Sequence, residues 1–406
     1  MGMKVRGISY YDYMLLLFVG GVIVLSFPAN LLRVWGVPFF RGPYYDVIFV
    51  IFVVLALCNL WMSKDSPLPS YYFAATLLLF STMVFAIGVI RGNENVIAGM
   101  KYFALPLIVY MLLVGRRFVL SFYSSNFLWS LVVGSHVFCL LFYYAFLYGR
   151  VYPGIGVPSI SFAALFFLAK QKYFLLSVSL LVVLLEGKRS LLLALLITMV
   201  FMRMVRLSVV GRLIYTILGI GILVLSMYLG LSFLAGITGS AIVNRINLLN
   251  PFSGSFDILL GSSGRAGELL SYFRGKDTLE LLIGSGSGFT YEWQLGYAST
   301  QEGEIKGYFH MTPANYLAAG GLLGLVPFVW MMLLPFRAGA LKESNDTRTV
   351  AFGLGVFCVV QSFFGFNLAT DAVSIIFIIG PMMLLSEQRR PGGATALRSN
   401  SLERTS

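Results

Sequence analysis

The chain is short of charge. Asp, Glu, Lys and Arg make up 11% of its 406 residues, less than half the roughly 25% that soluble domains carry. So few polar side chains cannot cover a globular surface, and a lipid solvent removes the need to. Histidine is scarcer still: His136 and His310 are the full set. The three cysteines, Cys58, Cys139 and Cys358, each sit inside an apolar run. An odd number so placed gives neither a disulfide framework nor metal-ligand spacing. There is no Asp-x-Asp pair, no His-Glu-x-x-His and no Gly-x-Ser-x-Gly elbow, so the sequence supports neither a metal nor a cofactor.

What the chain has in quantity is apolar sequence, 58% of the residues. The runs are unbroken and roughly 18–24 residues long, the length of membrane-spanning helices and unlike the alternating segments of a barrel. The expected fold is an all-α polytopic membrane protein with about twelve transmembrane helices. They fall near 12–32, 45–62, 71–90, 98–114, 127–148, 157–169, 173–186, 190–205, 213–235, 311–335, 349–368 and 371–387. The sixth to eighth are short, and a pair of longer tilted spans is the alternative there. The first resembles a signal peptide but lacks a small-x-small cleavage site, so it reads as a retained helix. Arg389 to Ser406, rich in Ser, Arg, Gly and Thr, reads as a disordered cytoplasmic tail.

The net charge of +12 is scattered between apolar runs, which makes it a topology signal and not a nucleic-acid patch. With both termini inside, 17 of the 29 Lys and Arg fall on the inner side. Of the twelve outside, five belong to one long loop, which weighs little in the rule. That loop, about 236–310, is the only long segment poor in apolar runs, and it therefore faces away from the cytoplasm. Nucleotide is absent there, and the run Gly284 to Gly288 lacks the Gly-Lys-Ser/Thr ending of a phosphate loop. It reads as a hinge or spacer.

Several residues in and around the loop could carry chemistry. Lys188 and Arg189, in the polar turn Glu186-Gly187-Lys188-Arg189-Ser190 at the outer boundary, either snorkel to lipid phosphates or hold an anion. Arg265 follows Ser262-Ser263-Gly264 and opens a segment with helical spacing, so backbone amides and the positive dipole end would lie beside its guanidinium. A surface pair with Glu268 is the plainer reading. That helix is expected to stop at Gly275, with a second short one opening over Asp277 to Glu280. Arg274 and Lys276 are weaker anion ligands. His310 stands just before a helix whose first turn holds Pro313, and it titrates near neutrality. Glu302 or Glu304 could serve as a base in its place. His136, deep in a span, reads as a packing or helix-to-helix hydrogen-bonding residue.

Taken in order, a turn with Arg189-Ser190, a long outer loop with Ser263-Gly264-Arg265, a glycine cluster and a histidine opening a glycine-containing helix resemble the O-antigen ligase and polymerase superfamily. The last part runs His310-Met311-Thr312-Pro313-Ala314-Asn315-Tyr316-Leu317, then Gly320-Gly321-Leu322-Leu323-Gly324-Leu325. Many members carry asparagine directly after the histidine; here Asn315 comes five residues later.

The resemblance implies a metal-independent, inverting glycosyltransferase domain over 1–388, in the bacterial inner membrane with a periplasmic active face. Its donor would be an oligosaccharide on undecaprenyl diphosphate. His310 would be the catalytic base, and Arg189 and Arg265 the diphosphate ligands. A polymerase, adding glycan to another lipid-linked unit of O-antigen, capsule or exopolysaccharide, is preferred slightly. A ligase that uses lipid A core as acceptor is the alternative. Polysaccharide export or chain-length-control proteins are candidate partners. From another class, a flippase for lipid-linked glycans is the rival; it would place its polar sites near mid-membrane and show repeated halves.

Overall fold

The computed structural model describes residues 9–34, 36–41, 43–63, 71–146, 157–186, 189–205, 265–274, 276–292, 305–309, 311–363 and 372–388. The expected span at 213–235 and the expected tail lie outside these residues. What is described is an all-α membrane protein with one two-residue strand pair. The long apolar runs form α1 (Tyr10–Val34), α3 (Pro43–Met62), α4 (Tyr71–Ile90), α5 (Val96–Leu113) and α7 (Asn126–Phe146), with a single turn α2 (Pro38–Arg41) before α3. After them come α8 (Pro158–Ala169), α9 (Tyr173–Glu186) and α10 (Arg189–Val205). The segment expected as a plain turn between the fourth and fifth spans contains a short helix, α6 (Phe118–Ser124), which buries Phe118, Val119, Phe122 and Tyr123. Six helices are long and apolar enough to cross a membrane, and several shorter apolar ones pack among them.

The short helices are short for a reason the structure supplies. The buried His136 ring, midway along α7, bonds the Ser159 hydroxyl at 3.0 Å, at the very start of α8. Trp129, near the start of α7, packs on Phe166, near the end of α8, at 6.0 Å. So α8, about 18 Å long by the rise per residue, covers only half the depth of α7. A half-depth helix needs protein on every side, and Ser159 to Phe167 are all buried. His136 also stacks on Phe27, with centroids 4.5 Å apart, and Ser159 bonds Ser26 at 2.8 Å. This histidine ties α1, α7 and α8 together. Around α8 the core is aromatic, with Phe162 against Phe377 at 4.9 Å and Phe357 at 5.4 Å.

The last three helices are α13 (Thr312–Leu333), α14 (Asn345–Phe363) and α15 (Ala372–Gln388), with a 3-10 stretch, Leu334–Ala340, after α13. A continuous helix over 311–335 was expected. Instead α13 breaks at Gly321, whose backbone stands at φ 57°, ψ −154°, a conformation open to glycine and costly for other residues.

The turns assigned to the inner side do share one end of the bundle. Arg117 pairs with Glu387 at 2.8 Å, Lys170 with Asp346 at 3.4 Å, and the Lys342 amide donates to Gln388 at 3.0 Å. Arg116 reaches the Ser9 hydroxyl at 3.3 Å and lies over the Tyr11 ring at 4.6 Å. At the centre of this end sits Asn59, fully buried. Its two amide hydrogens serve the carbonyls of Met111, Leu112 and Val114 at 2.8–3.0 Å, where α5 ends, and its oxygen accepts from Arg116. Asn59→Ala orphans these carbonyls and a guanidinium N–H, each worth roughly 1–3 kcal/mol when buried. The variant is expected to unfold at clearly lower temperature in detergent, whereas Ser63→Ala, at the edge of the same cluster, is expected to change little.

Candidate functional site

At the opposite end, the polar segment folds into a cap. As expected, a helix starts at Arg265, α11 (Arg265–Phe273), and a second opens after Asp277, α12 (Thr278–Ile283). Asp277 caps α12 by accepting from the Glu280 amide at 2.7 Å, the role short acidic side chains serve at helix starts. A strand pair, β1 (Tyr291–Glu292) with β2 (Ile305–Lys306), runs antiparallel with Tyr291 opposite Lys306. The cap has its own aromatic core. Phe309 stacks on Tyr291 at 4.7 Å, and Tyr272 stands edge-on to Phe309 at 5.4 Å and to Phe289 at 5.5 Å.

The glycine run is not a spacer. Gly284, Gly286 and Gly288 all have positive φ, near 70–80°, and Ser285 and Ser287 are buried. Its backbone is wedged between the end of α4, the start of α5 and the break in α13. The Ser285 and Gly286 amides donate to Ala318 and Ala319 carbonyls at 2.8 and 2.9 Å, and the Ser287 amide to Val84 at 2.9 Å. Asn93 donates to the Ser285 and Ser287 carbonyls at 2.9 and 2.8 Å. The Tyr272 hydroxyl lies 2.9 Å from the Ala318 carbonyl and 2.6 Å from Ser285 Oγ; its one proton goes to the carbonyl, and the serine supplies the other hydrogen. Burial pushes this phenol up to about 12, with the Ser285 bond pulling the other way.

Backbone meets backbone at each contact. A Cβ on Gly286 would strike Gly88, one on Gly99 would strike Gly288, and one on Gly321 would strike Leu282, all at impossible distances. The break in α13 thus receives the wedge: carbonyls that a continuous helix would use internally are taken by Ser285 and Gly286. Ser287 Oγ is buried here with no hydrogen-bond partner.

The candidate residues fare unevenly. Lys188, Glu302, Glu304 and His310 lie outside the described residues. Arg189 is the first residue of α10 and Arg265 the first of α11, and of these two the backbone alone is described. The length of α9, 14 residues, lifts the chain about 21 Å from the Lys170 turn. That is short of the roughly 30 Å of a hydrocarbon core, so Arg189 is recessed into the bundle and not set at its rim. Arg274 follows α11 and is exposed. Lys276 is spoken for: it approaches Glu280 at 3.3 Å and lies over the Tyr272 ring at 4.8 Å.

Two features were not singled out from the sequence. Asn315 is buried, and its side chain grips the chain on both sides of position 310. It accepts from the Phe309 amide at 2.9 Å and donates to the Phe309 and Met311 carbonyls at 2.8 and 2.9 Å. Arg91, from the end of α4, pairs with Glu280. That bond, with Lys276 adding to it, holds the Glu280 carboxyl below its usual range. Among the described residues no group of three or more His, Cys, Asp or Glu is placed to hold a metal ion. No family model matches the chain, and no curated protein matches it in sequence.

Substitution separates the wedge from ordinary loop glycines. Gly92 has the same backbone sign, φ +69°, but open space around its Cβ position. Gly92→Ala is expected to lose about 1 kcal/mol from backbone strain alone, while Gly286→Ala adds a backbone collision and is expected not to yield monodisperse protein in size-exclusion chromatography. Glu280 sets an acid-side dependence. Its folded pKa is lowered, so its contribution is complete above the ordinary value of 4.5 and fades as pH falls through the lowered one. Glu280→Gln is expected to flatten thermal stability against pH below that value, at a cost of at most about 1 kcal/mol at neutral pH because the group is partly exposed.

Proposed function

We propose that this protein is a membrane glycosyltransferase that moves a glycan from undecaprenyl diphosphate to an acceptor hydroxyl, in the inner membrane with the cap facing the periplasm. The observation that best supports it is the Asn315 grip on Phe309 and Met311. A buried amide spent entirely on the two backbones flanking one histidine fits a residue whose position must be fixed, as a catalytic base requires.

In this reading His310 takes the proton of the acceptor hydroxyl. The acceptor oxygen forms its bond to the anomeric carbon as the bond from that carbon to the diphosphate oxygen breaks. Undecaprenyl diphosphate leaves, and the anomeric centre inverts. Negative charge gathers on the leaving diphosphate, where Arg189 and Arg265 would stabilise it, since guanidinium pairs with two phosphate oxygens at once. Arg265 is helped by its place at the first turn of α11, where amides without helical partners and the dipole favour an anion. The donor carries its own leaving group, so no nucleotide is needed. Polymerase is preferred to ligase, with another lipid-linked glycan as acceptor in place of lipid A core.

One observation favours the transport reading: the break at Gly321 resembles the discontinuous helices of transporters. There, however, unwound carbonyls are available to a cargo ion, and here Ser285, Gly286 and Tyr272 occupy them.

With purified protein, lipid-linked donor and acceptor, His310→Ala is expected to lower transfer by about 10²–10⁴; a normal rate would sink the base assignment. Asn315→Ala is expected to lower kcat with little change in KM, and an unchanged kcat would separate Asn315 from the reaction. In cells, loss of a polymerase leaves single repeat units. Loss of a ligase leaves core bare with long chains on the carrier, and loss of a flippase traps units facing the cytoplasm.

A further inference from the structure

A polar loop beyond the helices would be expected to show water its polar side chains, and α12 does the reverse. None of its residues is buried, and the side chains on one face are apolar. Leu279 is 59% exposed and Leu282 44% exposed. On a helix these two, with Ile283, share a face, while Glu280 points away from it and is tied to Arg91 and Lys276.

What lies on either side identifies the solvent. The wedge fixes α12 between the end of α4 and the break in α13: Arg91 follows Ile90 directly, and the Leu282 backbone abuts Gly321. Ile90 is 83% exposed, and beyond the break Leu322, Leu323 and Val326 are all exposed. Both flanking helices are long and apolar enough to cross a membrane, so these side chains face acyl chains. The apolar face of α12 continues that surface without interruption. Exposed to water, such a continuous patch would be an aggregation liability; against lipid it is solvated like the rest of the belt. The charges agree, with Arg91 and Lys276 converging on the single carboxylate of Glu280 at the upper edge, a surplus of positive charge suited to lipid phosphates.

We infer that α12 is an interfacial membrane element: the Leu279 and Leu282 side chains are seated in the acyl chains of the leaflet on the cap side. The cap is therefore not held above the membrane but anchored in it, next to the wedge. This does not depend on the proposed chemistry.

The test uses the full chain in lipid nanodiscs, with the exposed Cys58 replaced by serine and the buried Cys139 and Cys358 left in place. Leu279→Cys, Leu282→Cys and, as a control on β1, Glu292→Cys each carry an environment-sensitive fluorophore. Lipids brominated on the acyl chains are expected to quench positions 279 and 282 and to leave 292 unquenched, and aqueous iodide is expected to do the opposite. Iodide quenching at 279 and 282 overturns the inference. Insensitivity there to both quenchers also overturns it, because a protein surface or a second copy would then cover the face. Equal behaviour at all three positions overturns it too. Hydroxyl-radical labelling of the unsubstituted protein gives an independent reading: protection of Leu279 and Leu282 in nanodiscs is expected, and oxidation as fast as at Glu292 would refute it.

Discussion

The arrangement at the cap end depends on backbone lying against backbone without side chains between. Gly284, Gly286 and Gly288 present carbonyls and amides to Gly88, Gly99 and Gly321, which have no Cβ to keep them away. Positive φ at alternate residues turns successive peptide groups so that amides reach α13 on one side and α4 on the other. The serines between are carried inward, and Asn93 closes the remaining carbonyls. Everything else at this end is positioned from this contact. Tyr272 bonds the broken helix and stands at the centre of the aromatic core, and Asn315, one turn before the break, holds the segment that leads into α13.

The helix break and the wedge explain each other. In hydrocarbon, a backbone carbonyl without a partner is costly, and a membrane helix is interrupted only where something else satisfies it. Ala318 and Ala319 lose their intrahelical partners at Gly321 and gain Ser285, Gly286 and the Tyr272 hydroxyl. The interruption therefore marks the place where the polar segment penetrates the bundle.

Hydropathy made the bundle legible, because helix length in lipid is set by bilayer thickness and apolar runs report it directly. Lys170 and Lys172 at one turn, and the twin cations at Arg116 and Arg117, likewise revealed which ends lie together. Packing between distant segments left no such trace. Half-depth α8 looks in sequence like any short apolar run; only His136 meeting Ser159 shows how far it reaches. The Gly-Ser alternation at 284–288 is equally what a flexible linker would show, since its partners Gly88 and Gly99 lie nearly two hundred residues earlier. The pair Gly320-Gly321 within an apolar run was a signal of a break, and Asn315 in the same run was a polar residue in need of partners. Both could have been weighed more heavily.

The wedge also limits how catalysis could work. A lid must open at a cost the reaction can bear, and this cap cannot. Lifting it would strip the buried Ser285, Gly286 and Ser287 amides, the two carbonyls held by Asn93 and the carbonyls of the broken helix. At roughly 1–3 kcal/mol for each buried group left unpaired, the sum rivals the 5–15 kcal/mol stability of a whole domain. Leu279 and Leu282, if seated in lipid, would add to it. The described cap is then a fixed wall, and the partners of any reaction must reach the site along it. A donor held in the same leaflet by its lipid tail would arrive laterally, past α12, at the depth where Arg189 is recessed.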